Sequence, residues 1–304
     1  MRKIFLASAL AGLALPAAAP ALAGAPVTRT MTCPVGGASF PFTTSASYST
    51  YGERPDGKPF GSWSFPLALP ECPDNGLVLY KEYTAEEVAR LEPLVASEAY
   101  QALRKEDTPY YRAYWLMKAM GLGPERYLWA LLQASWEAEA KPELRKRYLA
   151  ELAEASAAVP PRPADLNWIG MEGRAVNALR ELGRFDQALE RLAKVPLASL
   201  EAPMPAAGAS PETAAQARTR RGWLAFFTNI KAVIERRDSS REPLAMLPRS
   251  VALGRCIDQA DKLGESDRAY CEKESAGVEA IRASRAKLAR ETEALRQSRE
   301  ASGR

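Results

Sequence analysis

The sequence predicts a mainly α fold: an array of antiparallel helical hairpins behind a small N-terminal β/loop module. Three observations point there. From Thr84 onward, helix-start signals stand repeatedly ahead of apolar residues at helical spacing. The connections between these segments are short, which makes successive helices antiparallel neighbours. Before Thr84 there is little helical period, and glycine turns and aromatic rings dominate. With 304 residues, 47% of them hydrophobic, the chain can bury one large core or two smaller ones.

The first element, residues 1–23, reads as a signal peptide. Arg2 and Lys3 form a positive start, Ile4 to Leu15 an apolar run, and Pro16 and Pro20 precede an Ala21-Leu22-Ala23 cleavage site before Gly24. An uncleaved membrane anchor is the alternative, disfavoured by the prolines and small residues at the flank. Cys33 lies too far along for a lipid attachment site. The expectation is a periplasmic or secreted protein with no integral membrane span after cleavage. The formal charge of +4 falls to +2 without Arg2 and Lys3. So balanced a chain gives no reason to expect nucleic acid.

Residues 24–83 form the second element, with strands expected at Val27–Thr32, Ser39–Thr44, Tyr48–Gly52 and Leu77–Tyr83. Gly36-Gly37, Asp56-Gly57 and Asn75-Gly76 are the turn signals. Phe40, Phe42, Tyr48, Tyr51, Phe60, Trp63 and Phe65 supply apolar mass to a short segment. Most such rings fill a small core; the sharper alternative is an aromatic face for sugar or peptide.

The helical array is expected over residues 84–276. Thr84-Ala85-Glu86-Glu87 is a capping box followed by the stripe Val88, Leu91, Val95. Thr108-Pro109 opens the next helix, which Gly121 closes, and Gly123-Pro124 and Lys141-Pro142 open two more. Asp165 can cap a helix running to Leu182. Ser210-Pro211 starts the most amphipathic helix, with Trp223, Phe226, Phe227, Ile230, Val233 and Ile234 on one face and Lys231, Glu235 and Arg236 on the other. Residues 277–304 read as a charged C-terminal helix. Its Ile281, Leu288 and Leu295 fall at seven-residue intervals, but Arg285 and Thr292 occupy the companion positions, so a solvated or frayed helix is expected over a coiled coil.

Four cysteines in an exported chain favour disulfides. Cys256 and Cys271 flank Gly264, and two helices folded at that glycine would bring the thiols level. Cys33-Pro34-Val35-Gly36-Gly37 and Cys72-Pro73-Asp74-Asn75-Gly76 share a Cys-Pro-x-x-Gly shape. Zinc knuckles place a second thiolate where Gly36 and Asn75 stand here. A Cys33–Cys72 bridge replacing a metal is one reading; two unrelated Cys-Pro turns are the other. No metal and no cofactor is expected.

Ala175 to Leu192 resembles one tetratricopeptide repeat. Gly183, Phe185 and Ala188 match the glycine ending the first helix, the following aromatic, and the small residue opening the second; Val176 stands where that family has a glycine. Together with the two Cys-Pro motifs, the layout resembles an uncharacterised family of exported bacterial proteins. That resemblance implies a knuckle module joined to tetratricopeptide-like helices, and fold rather than activity.

The chain has no histidine, which removes Ser-His-Asp and Cys-His catalysis and histidine-bearing zinc sites. No catalytic residues are assigned, and the chain reads as a scaffold rather than an enzyme. The leading expectation is an exported protein-interaction scaffold whose array holds a protein or peptide partner of the cell envelope. The alternative is a cell-wall carbohydrate binder or carboxylate-dependent hydrolase, with Glu53, Asp56, Glu71 and Asp74 as the acids to consider. A redox role is disfavoured, since no Cys-x-x-Cys motif is present.

Overall fold

The computed structural model describes residues 24–201, 205 and 208–302, and within them the chain is mainly helical with two small antiparallel sheets near the start. The expected signal peptide lies outside the described residues. Strands β1 (Pro26–Thr32) and β2 (Ser39–Ser45) pair with Pro26 opposite Ser45 and Thr32 opposite Ser39. Strands β3 (Thr50–Glu53) and β4 (Pro59–Gly61) make a second hairpin whose tip is residues 54–58. The strand expected at Tyr48–Gly52 therefore begins and ends slightly later.

The strand expected at Leu77–Tyr83 is a correction. Leu77 and Val78 are fully buried, but only one bridge forms, between Glu71 and Val78. The apolar run that opens the segment serves instead to sink it into the helices. Around that bridge Cys72 N–H donates to the Leu77 carbonyl at 2.9 Å and Leu79 N–H to the Pro70 carbonyl at 2.8 Å, and Tyr83 Oη donates to the Val78 carbonyl at 2.9 Å.

Helix α1 (Ala85–Ala96) starts at the expected capping box: Glu87 N–H donates to Thr84 Oγ1, and Thr84 N–H donates to the Glu87 carboxylate. Ser97 then ends α1 and caps α2 (Glu98–Glu106), a helix the periodicity did not reveal. The next three are α3 (Pro109–Ala119), α4 (Pro124–Glu137) and, after a 3-10 turn at Ala138–Ala140, α5 (Pro142–Ala157). Each has proline at its first position, where the missing N–H costs nothing. Helix α6 (Leu166–Glu181) is capped by Asp165 and stops at Gly183, whose φ of 73° suits the left-handed turn into α7 (Phe185–Leu192). Ala188 is buried there, as close packing of a helix pair requires.

Helix α6 is the axis of the array. It packs on α5, α7, α8 (Pro211–Glu235) and α4, while α4 also packs on α5 and α8 on α7. Gly170 and Gly173 make the approach of α8 possible. A Cβ on Gly173 would lie 2.8 Å from the Trp223 ring, closer than atoms tolerate. The stripe expected on α8 is thus core, with Phe227, Ile230, Val233 and Ile234 buried.

Beyond α8, α9 (Arg249–Asp258) and α10 (Glu265–Lys273) hold Cys256 and Cys271 at a Cα–Cα distance of 5.7 Å, with the sulfurs bonded. Gly264 corrects its expected role: with φ −69° it caps the start of α10 instead of ending the helix before it. Helix α11 (Ser275–Ser302) buries Val278, packs Ile281 on the same core and pairs Arg285 with Asp258, after which it runs in solvent with Leu288 and Leu295 exposed. No helix among the described residues is long and apolar enough to cross a membrane.

Candidate functional site

The most elaborate polar cluster among the described residues is drawn from the 3-10 turn after α4 and from α5, α6 and α8, and the β3–β4 tip lies in it. Two side chains of the tip are nearly sealed from solvent: Asp56 is 1% exposed and Arg54 5%. Ions this deep need partners, because the interior screens and solvates them poorly. Arg54 grips Asp56 with two hydrogen bonds, of 2.6 and 3.1 Å, and reaches Glu139 beyond α4 at 2.5 Å. Asp56 also meets Arg145 of α5 at 3.4 Å, and Arg145 passes on to Glu181 of α6 at 2.6 Å. Lys58 closes the tip on Glu139 at 2.8 Å.

Arg174 is the clasp. It projects from α6, 4% exposed, donates to the Pro55 carbonyl at 2.8 Å and pairs with the Glu53 carboxylate. Its guanidinium lies over the Trp223 and Phe226 rings, 5.0 and 5.4 Å from their centroids. Gly57 must be glycine to let this side chain pass, since a Cβ there would stand 2.7 Å from Arg174 Nε. Behind the clasp, Arg180 is wholly buried and donates to the carbonyls of Asp238 and Ser240 at 2.7 Å each. That turn in turn delivers Glu242, which pairs with Arg255 at 2.6 Å and lies 3.5 Å from Arg54.

The charges tune one another. Burial alone would lower the Arg54 pKa, but Asp56 and Glu139 outweigh it and hold the guanidinium above its ordinary value. Burial would likewise raise the Glu139 carboxyl, yet Lys58 and Arg54 hold it below the ordinary carboxylate range. A depressed folded-state pKa contributes stability above the unfolded value, lost as pH falls through the folded one. The tip is therefore expected to loosen as pH drops below about 4, where unfolded carboxylates begin to protonate. Tryptophan fluorescence of Trp223, beside Arg174, should report this in an acid titration, and Glu139→Gln should flatten that transition.

Beside the tip opens a cleft of about 410 Å³, walled by Glu53, Pro55, Trp223, Phe226, Asn229 and Met246. Its α8 rim (Thr219, Gly222, Ala225 and Asn229) is exposed and small. A second cleft of about 340 Å³ runs over α6 between α5 and α7, along Trp168, Glu172 and Arg191.

The four acids expected from the sequence do not gather. Glu53 and Asp56 belong to the clasp, three residues apart but on different arginines. Glu71 lies elsewhere, accepting two hydrogen bonds from Arg112 at 2.9 and 2.7 Å. The backbone carbonyl of Asp74 accepts from Arg104 at 2.8 Å. Solvated turn chemistry fits Asp74; Asp56, expected to be a turn residue too, is a buried ion.

Cys33 and Cys72 are bonded, with Cα atoms 5.6 Å apart, and sit in the core with Leu77, Leu91 and Tyr100. The two Cys-Pro turns repeat one geometry. Gly37 N–H donates to the Cys33 carbonyl and Gly76 N–H to that of Cys72, and both glycines have positive φ, 73° and 74°. Asn75 Nδ2 bonds the Val35 carbonyl at 2.9 Å, joining turn to turn. No cluster of three or more metal-ligating side chains occurs among the described residues.

The residues that make the clasp, Arg54, Glu139, Arg145, Arg174 and Glu242, carried no motif. The available signal was a set of charges, Glu172, Arg174 and Arg180, on a helix otherwise rich in small and apolar residues. No family model, no curated protein and no solved structure matches the chain.

Proposed function

We propose that this is an exported, periplasmic or secreted, interaction scaffold whose helical array holds a peptide segment of a protein partner. The observation that supports it is the clasp. Where α5, α6 and α8 meet, the array already holds one tight, proline-bearing turn, residues 53–58, through a carbonyl contact, charges of both signs and a glycine-width passage. Those are the contacts by which a groove recognises a peptide. The cleft beside it, with aromatic walls and a small-residue rim, is the place for a partner segment to lie alongside the tip. Two bonded cysteine pairs and the absence of a membrane-crossing helix among the described residues fit a chain working in an oxidising compartment. The resemblance of Gly183, Phe185 and Ala188 to a tetratricopeptide turn agrees with a binding role.

A photo-crosslinker at Asn229 tests the proposal in intact cells. A discrete partner band is expected, abolished by Ala225→Arg, which fills the cleft from an exposed position without touching the core. The proposal fails if no band forms, or if Ala225→Arg leaves it in place while the thermal midpoint is unchanged.

A further inference from the structure

The same hairpin presents a second surface, away from the tip. The outer side of the β3–β4 hairpin faces α9 across an open groove of about 420 Å³. Tyr51 stands at its edge 60% exposed, an unusual position for so large a ring, and Phe60 stacks behind it at 6.2 Å with the planes 20° apart. Phe60 is anchored in the α9–α11 core, so the pair forms a fixed platform with one side in water. Across the groove, Asp258 and Arg285 form a double hydrogen bond of 2.6 and 3.1 Å, with Gln259 and Ser250 alongside. Gly254 contributes no side chain, which leaves the floor flat.

The geometry points to a pyranose-binding groove, and we propose β-1,4-linked, gluco-configured oligosaccharides as its ligand class, because the flat, open floor at Gly254 accepts the extended ribbon of a β-1,4 chain and not the curved one of an α-1,4 chain. Equatorial hydroxyls leave the face of such a sugar lined by C–H groups, which the negative face of an aromatic ring attracts. Carboxylate, guanidinium and carboxamide are planar groups able to bond two neighbouring hydroxyls at once, and Asp258 and Arg285 keep acceptor and donor capacity beyond their own pair. Both arginines of the groove are neutralised, Arg285 by Asp258 and Arg255 by Glu242, so a neutral ligand fits better than an anionic one. Nor does the shallow floor offer the deep apolar hole that anchors a peptide side chain. The groove is also rigid where it needs to be. The Cys256–Cys271 bond fixes α9, and Gly52 packs so tightly on Pro248 that a Cβ would fall 2.2 Å from its ring.

Calorimetric titration of the full chain with chitotetraose, cellotetraose and the α-linked maltotetraose decides the matter. Saturable binding of at least one β-linked tetrasaccharide is expected, with maltotetraose weaker. Tyr51→Ala should weaken it by roughly tenfold, a reasonable worth for one aromatic platform, while Tyr51→Trp retains it. Gln259→Ala, on the opposite wall, should weaken it as well, which keeps the test decisive should Tyr51→Ala fold poorly. Absence of binding by either β-linked sugar, or binding indifferent to both alanine variants, would overturn the proposal. Crosslinking at Asn229 should be unaffected by Tyr51→Ala.

Discussion

Asp56→Ala is expected to destabilise the chain by about 3–5 kcal/mol, the cost of stranding buried charge. In the native state Asp56 is shared by Arg54 and Arg145, all three drawn out of water. Removing the carboxylate leaves two guanidinium groups facing each other, with Glu139, Glu242 and Glu181 to offset them. Those remaining acids place the loss toward the lower end of the range. Asp56→Asn should cost less, because its carbonyl can still accept from Lys58 N–H and keep the turn. Combining Asp56→Ala with Arg145→Met should destabilise by less than the two single losses together, a coupling of about 0.5–3 kcal/mol for groups in direct contact. Denaturant midpoints of the four proteins measure this; additive losses would show that Arg145 and Asp56 do not act as a pair.

The second large effect is expected from the Cys33→Ser, Cys72→Ser double variant. The bond closes a loop of sequence separation 39, and constraining the unfolded chain over that span contributes about 4 kcal/mol in the chain-entropy model. Serines would in addition place two hydroxyls in an apolar core beside Leu77 and Leu91. The Cys256–Cys271 bond spans 15 residues, worth about 3 kcal/mol in the same model. Its α10 partner helix buries no residue, so less structure depends on it. Thermal melts of the two double variants should rank Cys33/Cys72 as the costlier loss; the reverse order would mean that local packing, not loop closure, sets the contribution.

Much of the helical scaffold was legible because helix starts are local chemistry. Thr84, Thr108, Asp165 and Ser210 each cap the helix they announce. Gly183 turns the chain because only its own φ is at issue. Helix α2 was hidden since Ser97 closes one helix and opens another with no glycine or proline between them. Leu77–Tyr83 misled because a short apolar run after a turn signal says that the segment is buried, not that a partner strand exists. The clasp was invisible for a different reason. Asp56 and Arg145 are 89 residues apart, and Glu53 and Arg174 are 121 apart. A turn-forming Asp-Gly pair looks the same in sequence whether its carboxylate meets water or two arginines.

The Cys33–Cys72 bond lies on either side of the tip it does not touch. A tip that lets go of Arg174 consequently stays on a closed leash, never far from its seat. Tethering of this kind gives a local concentration of about millimolar order, so a free peptide competing for the same seat must bind strongly enough to beat a neighbour that cannot diffuse away. Any weaker competitor would be kept out, so the leash sets a threshold for occupying that seat.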